Sequence, residues 1–196
     1  MRRLVLVLLL FSSLSVRAED LRSFVSEPFS FKIGAPLTWT LLPADFPTVA
    51  YKVHHENIND LVADREKLPL VRIVKAVPEN RTISPAVQVF VEFAKGSTPT
   101  GFLTSASRSV ATGFADFKIT HEASDKKLNG IQAAYIECTF TAEYSHDRRF
   151  PTLSRLWAIP RDKLMFVIAI TGQPDDLKPL ANEIDLILST IKFTNE

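Results

Sequence analysis

The strongest constraint on the fold of this chain is a strand–turn–strand sequence in its C-terminal third. Leu153 to Ile159 and Leu164 to Thr171 are both rich in apolar residues, and Pro160-Arg161-Asp162-Lys163 between them is typical of a hairpin turn. The second strand contains the run LMFVIAI, which is apolar on both faces. A strand of this kind must be covered on both sides, so we expect it at the centre of a sheet.

Alternating or continuous apolar runs predict further strands, and tight turns join consecutive ones. The predicted strands are Phe29–Ile33, Trp39–Leu42, Leu70–Val77, Ala86–Phe93, Phe117–Ala123 and Ile131–Glu143. In the longest of them the even positions are apolar, whereas the odd positions turn polar at Glu137, Thr139 and Thr141. Such alternation indicates a strand with one buried face.

Two helices complete the predicted elements. Thr98-Pro99 has the pattern of an N-cap followed by proline at the first helical position, and Pro174-Asp175-Asp176 places acids at the positive end of the second helix. Apolar residues at three- and four-residue spacing predict the buried faces, with serine and arginine on the outer face of the first helix. These apolar residues are Phe102, Ala106, Val110, Phe114 and Phe117, then Leu177, Leu180, Ala181, Ile184, Ile187, Leu188 and Ile191. The fold class is therefore α+β, a mostly antiparallel sheet flanked by helices.

The N-terminal residues have the three parts of a secretion signal. Arg2 and Arg3 precede the apolar run from Leu4 to Phe11, and small residues at 16 and 18 predict cleavage after Ala18. The run is shorter than the about 20 residues needed to span a bilayer. We therefore expect a signal peptide over residues 1–18, a flexible lead over 19–27, and a single domain over 28–196, secreted or periplasmic and without a transmembrane anchor.

Charge and cysteine content exclude several classes of function. Loss of Arg2, Arg3 and Arg17 with the signal lowers the basic residues from 23 to 20 against 22 acidic ones, a formal charge of −2. A domain with this charge lacks the broad basic surface that nucleic-acid binding favours. Cys138 is the sole cysteine, so an intrachain disulfide and a cysteine-rich metal site are excluded. Its position on the apolar face of a strand predicts a buried, inert thiol.

The segment from Pro43 to Pro69 holds the residues with metal-ligand chemistry. His54, His55 and Glu56 combine imidazole and carboxylate groups, which suit zinc or another first-row divalent ion. Adjacent residues of an extended chain point to opposite sides, however, so a solvated loop is the simpler interpretation. The segment as a whole is a hairpin excursion or a long loop.

A second polar cluster lies between two predicted strands. Tyr144 to Pro151 is predicted to be a charged loop, and its candidate partner-binding residues are Tyr144, His146, Asp147, Arg148, Arg149 and Phe150. The structural interpretation is an exposed turn, and the functional one is a recognition loop whose arginines meet an acidic partner. Neighbouring Ser, His and Asp in one turn do not form a catalytic relay, which requires spatial geometry. No catalytic residue is assigned.

The order of elements resembles the PsbP-like family, which includes DcrB-like bacterial envelope proteins and shares its fold with a eukaryotic factor that binds the GTPase Ran. The segments that carry the resemblance are FSFKIGAPLTWTLLP, the Thr98–Phe117 helix, LNGIQAAYIECTF, SRLWAIPRDKLMFVIAIT and EIDLILSTIKF. It covers nearly all of residues 28–194. It implies an α/β/α sandwich in which Trp39 is part of the core and Ile191-Lys192-Phe193 completes the core and a sheet edge.

The resemblance also implies a protein that acts by binding rather than by catalysis. The resulting expectation is an exported accessory protein of the bacterial cell envelope that needs no cofactor and contacts an envelope protein or a small ligand. The alternatives are an envelope hydrolase, in which His54, His55, His121 or His146 meets a carboxylate or hydroxyl, and a metal carrier that uses the His54 region.

Overall fold

The computed structural model describes residues 21–43, 68–76, 83–114, 116–145 and 148–194. The predicted signal peptide and most of the Pro43–Pro69 segment lie outside these ranges. The described elements are β1 (Leu21–Ser26), β2 (Phe31–Pro36), β3 (Trp39–Pro43), β4 (Val71–Lys75), β5 (Ala86–Phe93), α1 (Pro99–Ala111), β6 (Lys118–Leu128), β7 (Ile131–Ser145), β8 (Arg148–Arg161), β9 (Leu164–Gly172), α2 (Pro174–Leu177), α3 (Ala181–Ser189) and β10 (Lys192–Phe193). Within the described residues, every helix falls short of the length and apolar character that crossing a bilayer requires.

Seven strands form an antiparallel sheet in the order β3-β4-β5-β9-β8-β7-β6. β9, which carries the doubly apolar run, is the central strand, as the sequence predicts. The hairpin that joins it to β8 closes through a two-residue turn in which Asp162 has φ 53°. The turn between β6 and β7 uses Asn129 and Gly130, both at positive φ, a pairing that matches the twist of the flanking strands.

Helices cover both faces of this sheet. On one face α1 packs over β6, β7 and β8. The buried residues on this face are Leu103, Ala134, Ile136, Ala158, Met165 and Val167. On the other face lie α3 and a smaller sheet in the order β1-β2-β10. The larger core on that side includes Phe31, Ile33, Trp39, Val87, Val89, Phe166, Ile168, Ile184, Ile187 and Ile191. The α+β class and the α/β/α arrangement are thus confirmed.

The N-terminal lead differs from the sequence expectation. Within the segment 19–27, expected to be flexible, Leu21–Ser26 forms β1 and pairs with β2 along its whole length. Phe24 packs against the main core, whereas its neighbours on the strand are largely exposed. Because β1 buries so few side chains, it has little hydrophobic pattern, and backbone pairing with β2 defines it instead.

The first helix begins as predicted but buries a different set of residues. The Thr98 side chain caps it by accepting a hydrogen bond from the Gly101 N–H at 3.1 Å. The helix ends at Ala111, and its fully buried residues are Leu103 and Ser107. The predicted stripe of five apolar residues, and the outward position of serine, are therefore wrong in part. Phe114 and Phe117 follow the helix and pack their rings on Phe140.

The C-terminal segment also divides where one helix is predicted. α2 is a single turn over Pro174–Leu177, and α3 follows from Ala181 to Ser189. The predicted buried residues Leu177, Ile184, Ile187, Leu188 and Ile191 do lie in the core, whereas Ala181 is exposed. The break lets the chain turn from the end of β9 back across the sheet.

Candidate binding surface

The face of the large sheet that carries α3 remains partly exposed over β6, β7 and β8. Residues opposite one another in register share a face: Glu137 pairs with His121 and Arg155, and Tyr135 pairs with Trp157. Lys126, which is opposite Ala133, places its side chain over the Tyr135 ring. We call the side chains of these residues the exposed strip: His121 and Lys126 of β6, Tyr135 and Glu137 of β7, and Arg155 and Trp157 of β8. β7 contributes its polar odd positions, the ones that the alternation in the sequence turns away from α1.

Glu137 is the polar centre of the strip. Its Oε1 accepts a hydrogen bond from Thr120 Oγ1 at 2.9 Å, and its Oε2 accepts from Arg155 Nε at 3.0 Å and from the Tyr135 hydroxyl at 3.1 Å. Partial burial opposes ionisation, but these hydrogen bonds outweigh it and lower the pKa of Glu137 below 4.5. At neutral pH the strip therefore holds a carboxylate–guanidinium pair with fixed geometry.

Aromatic rings extend across the three strands beside this pair. The Tyr135 ring centroid lies 4.9 Å from that of Trp157 and 5.4 Å from that of His121. Lys126 Nζ lies 4.3 Å from the same Tyr135 centroid. Burial, with the negative charge of Glu137, raises the pKa of Tyr135 to about 12. Tyr135 is therefore a neutral phenol that donates to Glu137, and it is unsuited to act as a base.

The strip continues toward the end of the β7–β8 hairpin into a groove of 730 Å³, which we call the hairpin groove. Arg149 Nη2 lies 2.8 Å from Glu143 Oε1, and the Asp116 carboxylate accepts hydrogen bonds from the backbone N–H of Thr141, at 2.9 Å, and from its hydroxyl. Those two hydrogen bonds lower the pKa of Asp116. The groove is lined by Gly113, Phe114, Asp116, Thr141, Glu143, Arg149 and Pro151.

The predicted recognition loop has more regular structure than the sequence indicates. β7 extends through Tyr144 to Ser145 and β8 begins at Arg148, so a charged loop over 144–151 is not observed. Arg149 pairs in register with Glu143, and Phe150 with Ala142. His146 and Asp147 lie outside the described residues. Glu143 and Arg149 are exposed and Ala142 and Phe150 are only partly buried, which is why the composition of this segment is that of a loop.

The other sequence candidates are separate from the exposed strip. His54, His55 and Glu56 lie outside the described residues. In the part of the chain that is described, no three His, Cys, Asp or Glu side chains come together as a metal site would require. Cys138 is buried on the α1 face, and burial raises the pKa of its thiol to about 11, as expected of an inert cysteine.

One contact bears on the hydrolase alternative. His121 Nε2 lies 3.2 Å from Ser124 Oγ, which is hydrogen-bond distance. The carboxylate opposite His121 in register is Glu137, but the described hydrogen bonds of Glu137 come from Thr120, Tyr135 and Arg155. Within the described contacts, His121 thus lacks the orienting carboxylate that a catalytic relay uses.

The ladder of rings and charges was not predicted as a site. Its only signal in the sequence is the run of polar odd positions in β7, because its members come from three strands that meet only in the folded sheet. Trp157 and Arg155 belong to a predicted strand rich in apolar residues, a composition that indicates a buried strand. The sequence does not show that α3 leaves this part of the sheet uncovered.

Comparison with known proteins identifies the fold. No protein-family model and no curated protein sequence matches the chain. The structure is similar to the solution structure of cyanobacterial PsbP (CyanoP) from Synechocystis sp. PCC 6803, with a TM-score of 0.56 and 10% identity over 94% of this chain and 98% of that one. It is also similar to LpqN of Mycobacterium tuberculosis, involved in cell envelope biogenesis, with a TM-score of 0.53 and 12% identity over 88% and 90% of the two chains. The chain therefore has a PsbP-like fold, as its order of elements predicts.

Proposed function

We propose that this protein is an exported accessory protein of the bacterial cell envelope that binds a partner protein through the exposed strip. The observation that carries the proposal is the ladder of His121, Tyr135 and Trp157 beside the Glu137–Arg155 pair on a partly uncovered sheet face. The predicted signal peptide over residues 1–18 and the fold shared with LpqN, itself involved in envelope biogenesis, support a periplasmic or secreted location.

The residue types in the strip are those that anchor protein interfaces. Tryptophan, tyrosine and arginine are enriched among binding hot spots, and the two aromatic residues bury much area at low cost in conformational entropy. Here strand backbones and mutual contacts hold Tyr135, Trp157 and Arg155 in place before any partner arrives. Such pre-organisation removes part of the entropic cost of association.

The charged residues around these rings favour a partner whose contact surface has polar groups at its periphery. Glu137 and Arg155 neutralise each other, with side chains 24% and 34% exposed, so neither offers a lone charge to a partner. Lys126 and His121 lie on the β6 side of the exposed strip, where an acidic group of the partner would contact them. We further propose that the predicted partner-binding residues of the hairpin end, Tyr144, His146, Asp147, Arg148, Arg149 and Phe150, border this interface.

The test is affinity purification of the mature domain from the native envelope extract, with mass spectrometry of the retained proteins. Lys126→Glu places a carboxylate over the Tyr135 ring, and Lys127→Glu makes the same change one residue later, on the opposite face of β6. We expect a retained partner to bind Lys126→Glu at least about tenfold more weakly and Lys127→Glu as wild type. Equal retention by both variants, or no specific partner for the wild type, would contradict the proposal.

A further inference from the structure

We propose that the outer edge of β7 beyond Thr139 binds an extended segment of the partner protein as an added strand, with a basic residue opposite Glu143. The inference rests on the proposed function for the existence of a protein partner, and it specifies the part of the partner that docks. It concerns the hairpin groove, which lies further along the sheet than the rings of the exposed strip.

The first observation is that β6 stops before β7 does. The pairing of β6 with β7 begins at Lys118 opposite Thr139, whereas β7 continues to Ser145 and pairs with β8 as far as Arg148. Over residues 140–145, the described strands therefore pair with β7 on the β8 side alone. An unpaired strand edge is a template for a further strand.

The second observation fixes the direction of the backbone groups on this edge. The N–H of Thr141 points away from β8, because it donates to the Asp116 carboxylate at 2.9 Å. Pro151, opposite Thr141 in β8, has no N–H, which agrees with a pair whose backbone groups face apart. Groups of alternate residues point to the same edge of an antiparallel strand, so the N–H and C=O of Glu143 also face outward.

The third observation is the space beside this edge. The hairpin groove is bounded by Phe114 and Asp116 of the segment between α1 and β6, and it reaches Glu143 and Arg149. By extrapolation of the register, Asp116 occupies the position opposite Thr141, where β6 would continue. Its side chain substitutes for a strand at one amide, and from Glu143 onward no described strand pairs with this edge.

Side-chain chemistry specifies the added strand. A residue opposite Glu143 would lie on the face of its carboxylate, and opposite charges in such cross-strand positions are stabilising. Arg149 uses Oε1 of Glu143, and a carboxylate accepts through both oxygens. The neighbouring residue of the added strand would lie opposite Ala142, on the face where Phe114 packs on Phe140 at 4.3 Å between centroids. The segment that fits is therefore a basic residue flanked by apolar ones.

The direct test uses a capped seven-residue peptide of valine and threonine with a central lysine. Its binding to the wild-type domain is followed by ¹⁵N–¹H NMR and amide hydrogen exchange. We expect slowed exchange of the Glu143 amide, at least about tenfold weaker binding when the backbone nitrogens of the peptide facing β7 are methylated, and weaker binding when its lysine is glutamate. Glu143→Lys should reverse that charge preference. Binding that is insensitive to backbone methylation, protection that maps elsewhere, or no binding would overturn the inference.

A second experiment separates this inference from the proposed function. A partner captured from envelope extract by the wild type is tested against Glu143→Pro, which removes the outward N–H, and against Glu143→Gln, which keeps it. Loss with Glu143→Pro beyond that with Glu143→Gln supports strand addition, provided that both variants retain the wild-type unfolding transition. If Lys126→Glu abolishes capture while Glu143→Pro does not, strand addition fails and the proposed function stands. The wild-type peptide titration decides the matter if Glu143→Pro does not fold.

Discussion

One carboxylate, that of Glu183, links α3 to β3 and β4 by hydrogen bonds, and its removal should have a measurable cost. Oε2 of Glu183 accepts hydrogen bonds from Trp39 Nε1 at 2.6 Å, from Lys75 Nζ at 2.8 Å and from Thr38 Oγ1 at 3.1 Å. Trp39 is only 1% exposed, so Glu183→Ala leaves a nearly buried indole N–H without this acceptor. We therefore expect Glu183→Ala to destabilise the domain although Glu183 itself is partly exposed.

The magnitude follows from these contacts. A buried donor left without a partner costs about 1–3 kcal/mol. The Lys75–Glu183 pair adds less than about 1 kcal/mol, because its side chains are 21% and 35% exposed. The expected loss in free energy of unfolding is about 2 kcal/mol, or a Tm lower by roughly 4–8 °C for a domain of this size. Glu183→Gln, which keeps a neutral acceptor for Trp39, should lose about half as much.

The dependence on pH provides an independent check. Burial of Glu183 opposes its ionisation, but hydrogen bonds from Lys75 and Trp39 outweigh it and lower its pKa below 4.5 in the folded state. A lowered folded-state pKa means that the stabilisation is fully present above the unfolded value and is lost as the pH falls through the folded one. The difference between wild type and Glu183→Gln should therefore shrink below pH 4.5.

The assay is urea denaturation followed by tryptophan fluorescence, at pH 7 and at intervals down to pH 3. Asp185→Ala serves as the control, because Asp185 lies exposed on the same helix. A loss below about 0.5 kcal/mol for Glu183→Ala at pH 7, or a difference between wild type and Glu183→Gln that is constant with pH, would refute this reasoning.

Three further outcomes are expected. Alkylation of Cys138 should be about 100-fold slower in the folded protein than in urea, since burial raises its pKa from 9 to about 11; equal rates by mass spectrometry would contradict burial. Asn129→Ala should destabilise the domain by about 1 kcal/mol more than Asn129→Gly. Both variants lose the 2.6 Å hydrogen bond to the Leu188 carbonyl, but only alanine is strained at φ 52°. Chemical denaturation of the two variants tests this order. Thr98→Ala should cost about 1 kcal/mol through loss of the α1 cap, and Thr98→Ser should restore most of it in the same assay.

The elements with strong local signals were predictable from the sequence. The alternating run Ala86–Phe93 forms β5 with the same bounds, and the Thr98-Pro99 pattern marks the start of α1. The doubly apolar LMFVIAI run is central because each face of β9 meets a separate core. In each case the determining interaction is local or is set by the hydrophobic pattern, so it is legible in a single sequence.

The features that were not predicted depend on neighbours distant in sequence. β1 is a strand because β2 pairs with it, and Ser107 is buried because α1 lies flat on the sheet. The hairpin end around Arg149 was expected to be a loop because its charges are paired across strands, a pairing that composition does not show. The exposed strip could not be predicted for the same reason. Trp157 lies in a predicted strand rich in apolar residues, and only the path of α3 determines that its side chain stays partly exposed.

A partly exposed aromatic strip and a strand edge that pairs with no described strand would ordinarily promote aggregation, and the charges of this sheet oppose that outcome. β6 carries Lys118, Glu122 and Lys127 and has two register shifts against β7, which hinder the docking of a flat foreign strand. The pairing of β6 with β7 ends at Thr139. Beyond Thr139, Asp116 and Glu143 supply the charges at the edge of β7. Asp116 and Glu143 outnumber the one arginine, Arg149, that lines the same groove, so the groove repels an acidic strand. A neutral strand would desolvate the carboxylates without compensation, whereas a basic residue compensates for that desolvation. Backbone pairing along β7 would then supply the affinity, and the same acids that deter unspecific strands would select the partner.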